Sequence, residues 1–352
     1  MKTPESRPPH DTLQAALRSV FGLDARRLAV LAALVLAMIQ ARSVVLYTLK
    51  NHVALPGTRA IRYQRLLRFM QFTVPDGLFT TFVLKLLPPG DLWLILDRTN
   101  WKLGSSDVNI LLLSATWKSF SFPLLWTLLP HGGASAQTDR TALLERFLAV
   151  GGARRIAGVL ADREFVGKDW FTFLEKHDIA PCIRLRADSK VNGVPVWACF
   201  RKLSVGEVRV WHRAEHVYGV KLRVLATKNA AGEMLYLAYQ GWSRQNLIRY
   251  SLRWQTENLH SALKTRGFNL EDTGLTKTAR VSTLLIAVSL AFVWACLTGE
   301  FEATRQTVKR KKHGYDEISV FRLGLDTLQD LLQHPSLASW RDFADLIQRF
   351  EG

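Results

Sequence analysis

Residues 92–97 read LWLILD, and the chain continues RTNWK to residue 102. Leu92 to Leu96 form a nearly continuous apolar run, the pattern of a strand buried on both faces, and the run stops at Asp97. A second run of this kind, Ile156 to Leu160, stops just before Asp162. Between them, Val108 to Ser114 and Ser119 to Leu129 read as strands. Gln137 to Val150 reads as a helix, with Leu143, Leu144, Phe147 and Leu148 at helical spacing. Asp169 to His177 reads as another helix and Ala180 to Leu185 as another strand.

Strand, strand, strand, helix, strand, helix, strand is the element order of a ribonuclease-H-like core. The expected class is therefore α/β, with that core over residues 89–190 and 241–300. From Asn192 to Gln240 the pattern alternates with period two between turn signals, which predicts a mostly β insertion over 191–240 rather than a continuation of the core. Residues 1–88 are expected to be all-helical, broken at Pro56-Gly57. Residues 301–352 are expected to be a basic, helical C-terminal region carrying Lys309 to Lys312.

The 352 residues include 47 Lys and Arg against 30 Asp and Glu, a formal charge of +17. A surplus of that size favours a polyanion as partner, because each phosphate neutralised releases condensed counterions. Within the N-terminal segment, Arg62, Arg65 and Arg68 stand beside Ile61, Leu66 and Leu67. A helix presenting cations to DNA and an ordinary solvated face both fit that pattern. Cys182, Cys199 and Cys296 are far apart and form no CxxC pair. They support neither a disulfide framework nor a zinc site, and a cytoplasmic location is expected. The N-terminal stretch has no apolar signal core, and the apolar runs 28–39 and 281–297 are read as buried helices, so no membrane partner is expected.

An aspartate at a strand end is more often a turn or capping residue than a ligand. Asp97 and Asp162, ending two strands of one sheet, become a plausible pair for binding hard cations such as Mg²⁺ or Mn²⁺. On one continuous helix from about residue 244 to 265, Tyr250, Arg253, Glu257 and Lys264 would fall within about 60° of one another at about 100° per residue. Ile248, Leu252, Leu259 and Leu263 would form a buried spine on the other side. A solvated amphipathic face explains that polarity, but not this particular set of four.

The spacing Tyr-x2-Arg-x3-Glu-x6-Lys, from Tyr250 to Lys264, resembles the YREK signature of the bacterial cut-and-paste transposases of insertion-sequence family four. DRTNWK at 97–102 and DREFVG at 162–167 resemble the blocks around that family's two catalytic aspartates. KKHGY at 311–315 and SVFRLGL at 319–325 resemble its C-terminal region. The resemblance implies that Asp97, Asp162 and Glu257 are catalytic and hold two Mg²⁺ ions, with Mn²⁺ able to substitute. Tyr250, Arg253 and Lys264 would grip DNA, with Arg62, Arg65 and Lys311 as further contacts. It implies cleavage of the element's ends and strand transfer into target DNA, by a dimer on paired ends of double-stranded DNA in a bacterial cytoplasm, nucleoid-associated when bound, without a small-molecule substrate. Relatives excise through a hairpin and place a tryptophan in the insertion's last strand. The matching stretch here, 234–238, reads MLYLA, leaving Tyr236, Met234 or Trp242 as substitutes and the hairpin step open. Two alternatives stand beside this reading: a ribonuclease-H-like endonuclease without strand transfer, and an inactive DNA-binding descendant of a transposase.

Overall fold

The structure is a computed structural model. It describes residues 8–104, 106–152, 156–211, 213–241, 245–305, 317–334 and 337–351. The chain divides into two units, one of residues 1–88, 101–108 and 258–352, the other of residues 89–100 and 109–257.

The first unit holds α1 (Pro9–Val20), α2 (Ala25–Ala41), α3 (Leu46–Leu49), α4 (Arg59–Phe69) and α5 (Asp76–Leu86). Asp24 caps α2, its carboxylate accepting from the backbone N–H groups of Arg26 and Arg27, each at 3.0 Å. The middle of α2, Leu31 to Ile39, is buried all round, as an apolar helix inside a helical core must be.

The second unit is built on a mixed sheet. Its strands are β1 (Leu92–Leu103), β2 (Ser106–Trp117), β3 (Phe120–Leu129), β4 (Ile156–Ala161) and β5 (Ala180–Arg184), with α6 (Gln137–Phe147) and α7 (Lys168–Lys176) between them in the expected order. The insertion contributes β6 (Lys190–Val191), β7 (Val194–Pro195), the short α8 (Val196–Cys199), β8 (Val208–Val210), β9 (Glu215–Val217), β10 (Val220–Lys228) and β11 (Met234–Tyr239). Among the described residues the sheet has eleven strands, in the order β3-β2-β1-β4-β5-β11-β10-β9-β6-β7, with β8 beside β10. β1, β4 and β5 run parallel, while β3 pairs antiparallel with β2 and β11 with β5. Gly158 lies where β4 meets β5. A Cβ there would collide with the Ala180 carbonyl and the Trp93 ring, so the close approach needs glycine.

Past β11 come α9 (Asn246–Ser251) and α10 (Trp254–Ser261), followed in the first unit by α11 (Thr278–Arg305), α12 (Val320–Gln333) and α13 (Leu337–Glu351). α11 is long and apolar enough to cross a membrane by length and composition, yet nearly nine-tenths of its apolar window is buried within the protein. The Trp294 indole donates to the Leu346 carbonyl of α13 at 3.3 Å, and α12 lies close along α11 at Gly299 and Gly324.

Three expectations are corrected. β1 does not end at Asp97 but runs on to Leu103; what ends at Leu96 is its pairing with β4. The 191–240 segment does continue the core sheet, because Leu237, Ala238 and Tyr239 of β11 bond to Arg184, Ile183 and Cys182 of β5. The single helix over 244–265 is three pieces: α9, α10 and a π-helical turn Ala262–Arg266. The break between α9 and α10 undoes the uniform angular count. Leu259 and Leu263 are buried as expected, but Ile248 is 69% exposed, while Tyr250 and Arg253 turn inward.

Candidate active site

Leu96 and Ala161 are the last registered partners of β1 and β4, and each is followed by an aspartate. Parallel neighbours lie about 4.8 Å apart, so Asp97 and Asp162 leave the paired region side by side. The Asp97 side chain is only 16% exposed. Burial pushes its carboxyl up to about 6, opposed by the Arg98 backbone N–H and the Arg253 charge and reinforced by Glu164 and Asp162. The Arg98 N–H donates to Asp97 Oδ1 at 2.9 Å. Asp162 lies 3.8 Å from Arg184 Nη1, and its Oδ1 is buried without a hydrogen-bond partner.

Arg253 links the third acid to these two. Its guanidinium, from a residue 8% exposed just before α10, donates to Glu257 Oε1, four residues on, at 2.7 Å and lies 3.8 Å from Asp97 Oδ2. Although burial pulls the other way, the surrounding Tyr250, Glu257, Asp97 and Asp162 hold this guanidinium more firmly protonated than usual. Tyr250 packs among Ile95, Leu160, Cys182, Leu237 and Tyr239. Its hydroxyl is buried without a hydrogen-bond partner, and burial raises its pKa. A hydroxyl so placed is a donor looking for an acceptor.

Around the aspartates stands a brace that the sequence reading did not single out. Arg98 Nε meets Glu164 Oε1 at 3.2 Å, joining the residue after Asp97 to the loop that carries Asp162. Arg98 also donates to Asn109 Oδ1 at 3.1 Å. The buried Arg140 donates to the carbonyls of Glu164 at 2.9 Å and Val166 at 3.2 Å, pinning the same loop from α6. The available signal was local: both aspartates are followed directly by arginine, and Asp162-Arg163 by an acid.

The remaining candidates lie elsewhere. Lys264, in the π-helical turn, is ion-paired with Glu271 at 2.6 Å and sits 5.8 Å from the Trp101 ring centroid. Arg62 and Arg65 are half-buried on α4. Lys311, the blocks at 309–315 and Trp242 fall outside the described residues. Tyr236 is a buried ring 6.2 Å from that of Phe200, and Met234 is half-buried.

Hard cations need oxygen ligands without a competing cation. Asp97 and Asp162 meet that need in part, since Arg253 stands 3.8 Å from Asp97 Oδ2 and Arg184 3.8 Å from Asp162 Oδ1, both beyond hydrogen-bonding distance. Glu257 does not yet join them as a ligand, since its carboxylate is engaged by Arg253. Among the described residues no three acidic, histidine or cysteine side chains are grouped closely enough to hold an ion.

No curated protein matches the sequence. A solved structure of the piggyBac transposase synaptic complex with hairpin DNA is similar at 12% identity and a TM-score of 0.42, over 84% of this chain and 62% of that one. The chain thus spans less than two thirds of that transposase's length. The family described as Transposase DDE domain matches residues 90–294, which hold Asp97, Asp162, Glu257 and the brace around them. With more than half its length matched, the chain belongs to the transposase DDE-domain family.

Proposed function

We propose that this chain is a DNA transposase of insertion-sequence family four that cuts the ends of its element and joins them to target DNA. In this reading residues 89–190 and 241–300 are a ribonuclease-H-like catalytic core extended by the 191–240 segment. The helical residues 1–88 bind DNA, and residues 301–352 form a basic C-terminal region. The carrying observation is that Asp97 and Asp162 leave adjoining strands side by side while Arg253 ties Glu257 to Asp97.

Asp97, Asp162 and Glu257 would hold two Mg²⁺ ions, or Mn²⁺ in their place. Such ions activate the attacking oxygen and stabilise the leaving one in phosphoryl transfer. Arg253 keeps the acids from repelling one another until then, and its fork suits a scissile-strand phosphate once it releases Glu257. Tyr250 lends the same phosphate a hydroxyl donor, and Lys264 is a further DNA contact that supplies a point charge. Arg98, Glu164 and Arg140 fix the loop on which Asp162 stands, so that the two strand-end carboxylates hold their spacing. Arg62, Arg65 and Lys311 are further DNA contacts, the assembly is a dimer on paired ends, and the site of action is the cytoplasm.

The test is cleavage of the DNA flanking the chain's own gene, with and without Mg²⁺, followed by joining to a target plasmid. Metal-dependent nicking and joining, lost in Glu257→Gln and Asp97→Ala, is the expected result. Nicking without joining would leave a plain endonuclease, and DNA binding without either would leave an inactive descendant.

A further inference from the structure

α2, α4 and the residues flanking α4 border a half-open cleft of about 700 Å³ within the helical N-terminal segment. Its lining includes Arg26 and Arg27 from the first turn of α2, Arg65 and Arg68 from successive turns of α4, and the rings of Phe69 and Phe72. Among the described residues no carboxylate lines it. Asp24, beside it in sequence, is committed to capping α2 and to Arg27 Nη1 at 2.7 Å. Among the described residues Arg26, Arg65 and Arg68 have no acidic partner, and Arg27 lies 4.0 Å over the Phe72 ring.

With Arg27 paired to Asp24, three arginines along one concavity remain without an acidic partner, a positive lining that favours an anion. The volume exceeds what a single small anion fills and falls within the range of organic ligands. Its lining joins cations to an apolar floor, matching the alternation of phosphate and deoxyribose along a nucleic-acid strand. We propose that this cavity is a DNA-strand site, distinct from the carboxylate cluster, in which Arg26, Arg65 and Arg68 take successive backbone phosphates and Phe72 supports the intervening sugar. The proposal rests on the reading of the chain as a DNA-acting protein. It moves the main N-terminal contact from an α4 face carrying Arg62 to a cleft shared by two helices, and it assigns Arg26 and Arg68 for the first time. Arg27 acts through Phe72, holding the ring in place as the floor.

The test is equilibrium binding of the full chain to a fluorescent duplex from the region flanking its gene, across a range of salt, for the native protein and R26A/R68A. Both arginines are exposed, so their removal leaves the core intact. R18A/K85A, an equal loss of charge at two exposed positions outside the cavity, is the control. The expected result is weaker binding by R26A/R68A, with a log–log salt slope smaller by about 1.8, or about 0.9 for each phosphate left unneutralised. The control should keep the native slope. Inorganic phosphate at matched ionic strength should compete no better than chloride, because a strand and not a free anion is bound. Unchanged affinity and slope in R26A/R68A, an equal drop in the control, or selective competition by phosphate would each overturn the proposal and leave the transposase reading standing. No duplex binding by the native chain at any salt would overturn both.

Discussion

The guanidinium of Arg253 donates to the carboxylate of Glu257, four residues along, at 2.7 Å, while its other terminal nitrogen reaches toward Asp97 at 3.8 Å. One buried cation therefore stabilises two acids of unequal exposure. Removing it leaves Asp97 buried without its nearest opposite charge. Arg253→Met should cost about 3–5 kcal/mol near neutral pH, in line with breaking a buried pair from one side. Glu257→Gln should cost about 1 kcal/mol or less, because that carboxylate is 42% exposed. Urea denaturation checks both, and equal losses from the two variants would contradict the assignment.

Asp97 sets a pH dependence of its own. Its carboxyl is raised from 3.8 to about 6 in the folded protein, so the protonated form is the one the fold favours. The associated stability is fully present below about pH 3.8 and is lost as pH rises through about 6. Asp97→Asn should therefore raise stability near neutral pH by up to about 3 kcal/mol in metal-free buffer, with the gain vanishing near pH 4. Thermal melts across that range provide the measurement. A gain that persisted in acid would trace to packing and not to charge.

Glu164 raises the Asp97 carboxyl through space and bonds to Arg98 at 3.2 Å, so it acts on both the charge and the position of the site. Glu164→Gln should move the Asp97 transition in the melting profile to lower pH. Arg98→Gln, which loosens the loop bearing Asp162, should slow strand cleavage by about 100-fold with little change in DNA affinity. A cleavage rate unaltered by Arg98→Gln would remove the brace from the account.

In the other unit, Gly299 and Gly324 let α11 and α12 approach until backbone meets backbone. A Cβ on Gly324 would strike the Ala295 carbonyl and the Gly299 nitrogen. Gly324→Ala should destabilise by about 1–3 kcal/mol through overpacking. Gly22→Ala, with open space around it, should change stability by about 1 kcal/mol or less. Calorimetry of the two variants separates the effects.

The paired stretches of the two central strands were legible, though not where β1 itself ends, because burial on both faces leaves a continuous apolar run. Leu92 to Leu96 and Ile156 to Leu160 could only be central strands, and the acids after them followed. The strand bonding of β11 to β5 was not legible, since alternating patterns look alike in an insertion and in a sheet's outer half. The orientation of Tyr250 and Arg253 was misread for a different reason. A helical count assumes an unbroken helix, and the interruption between Ser251 and Trp254 turned the first part of the segment about its axis, exposing Ile248 and burying Tyr250. Arg98, Glu164 and Arg140 escaped notice because residue type alone does not distinguish a brace from a solvated charge. Arg140 in particular lies far from the aspartates along the chain.

The bonding of β11 to β5 bears on how the chain can vary. Residues 185 to 233 depart from one strand and return to its neighbour, so the segment is a closed excursion anchored at its root. The turn at Asn192 and Gly193, where both residues have positive φ, lies at the far tip of that excursion, beyond β9. Sequence grafted there would extend the rim without disturbing the strands that set the distance between Asp97 and Asp162. The excursion is thus a natural place for lineages to diverge, or for a reporter to be spliced in, while the chemistry stays in register.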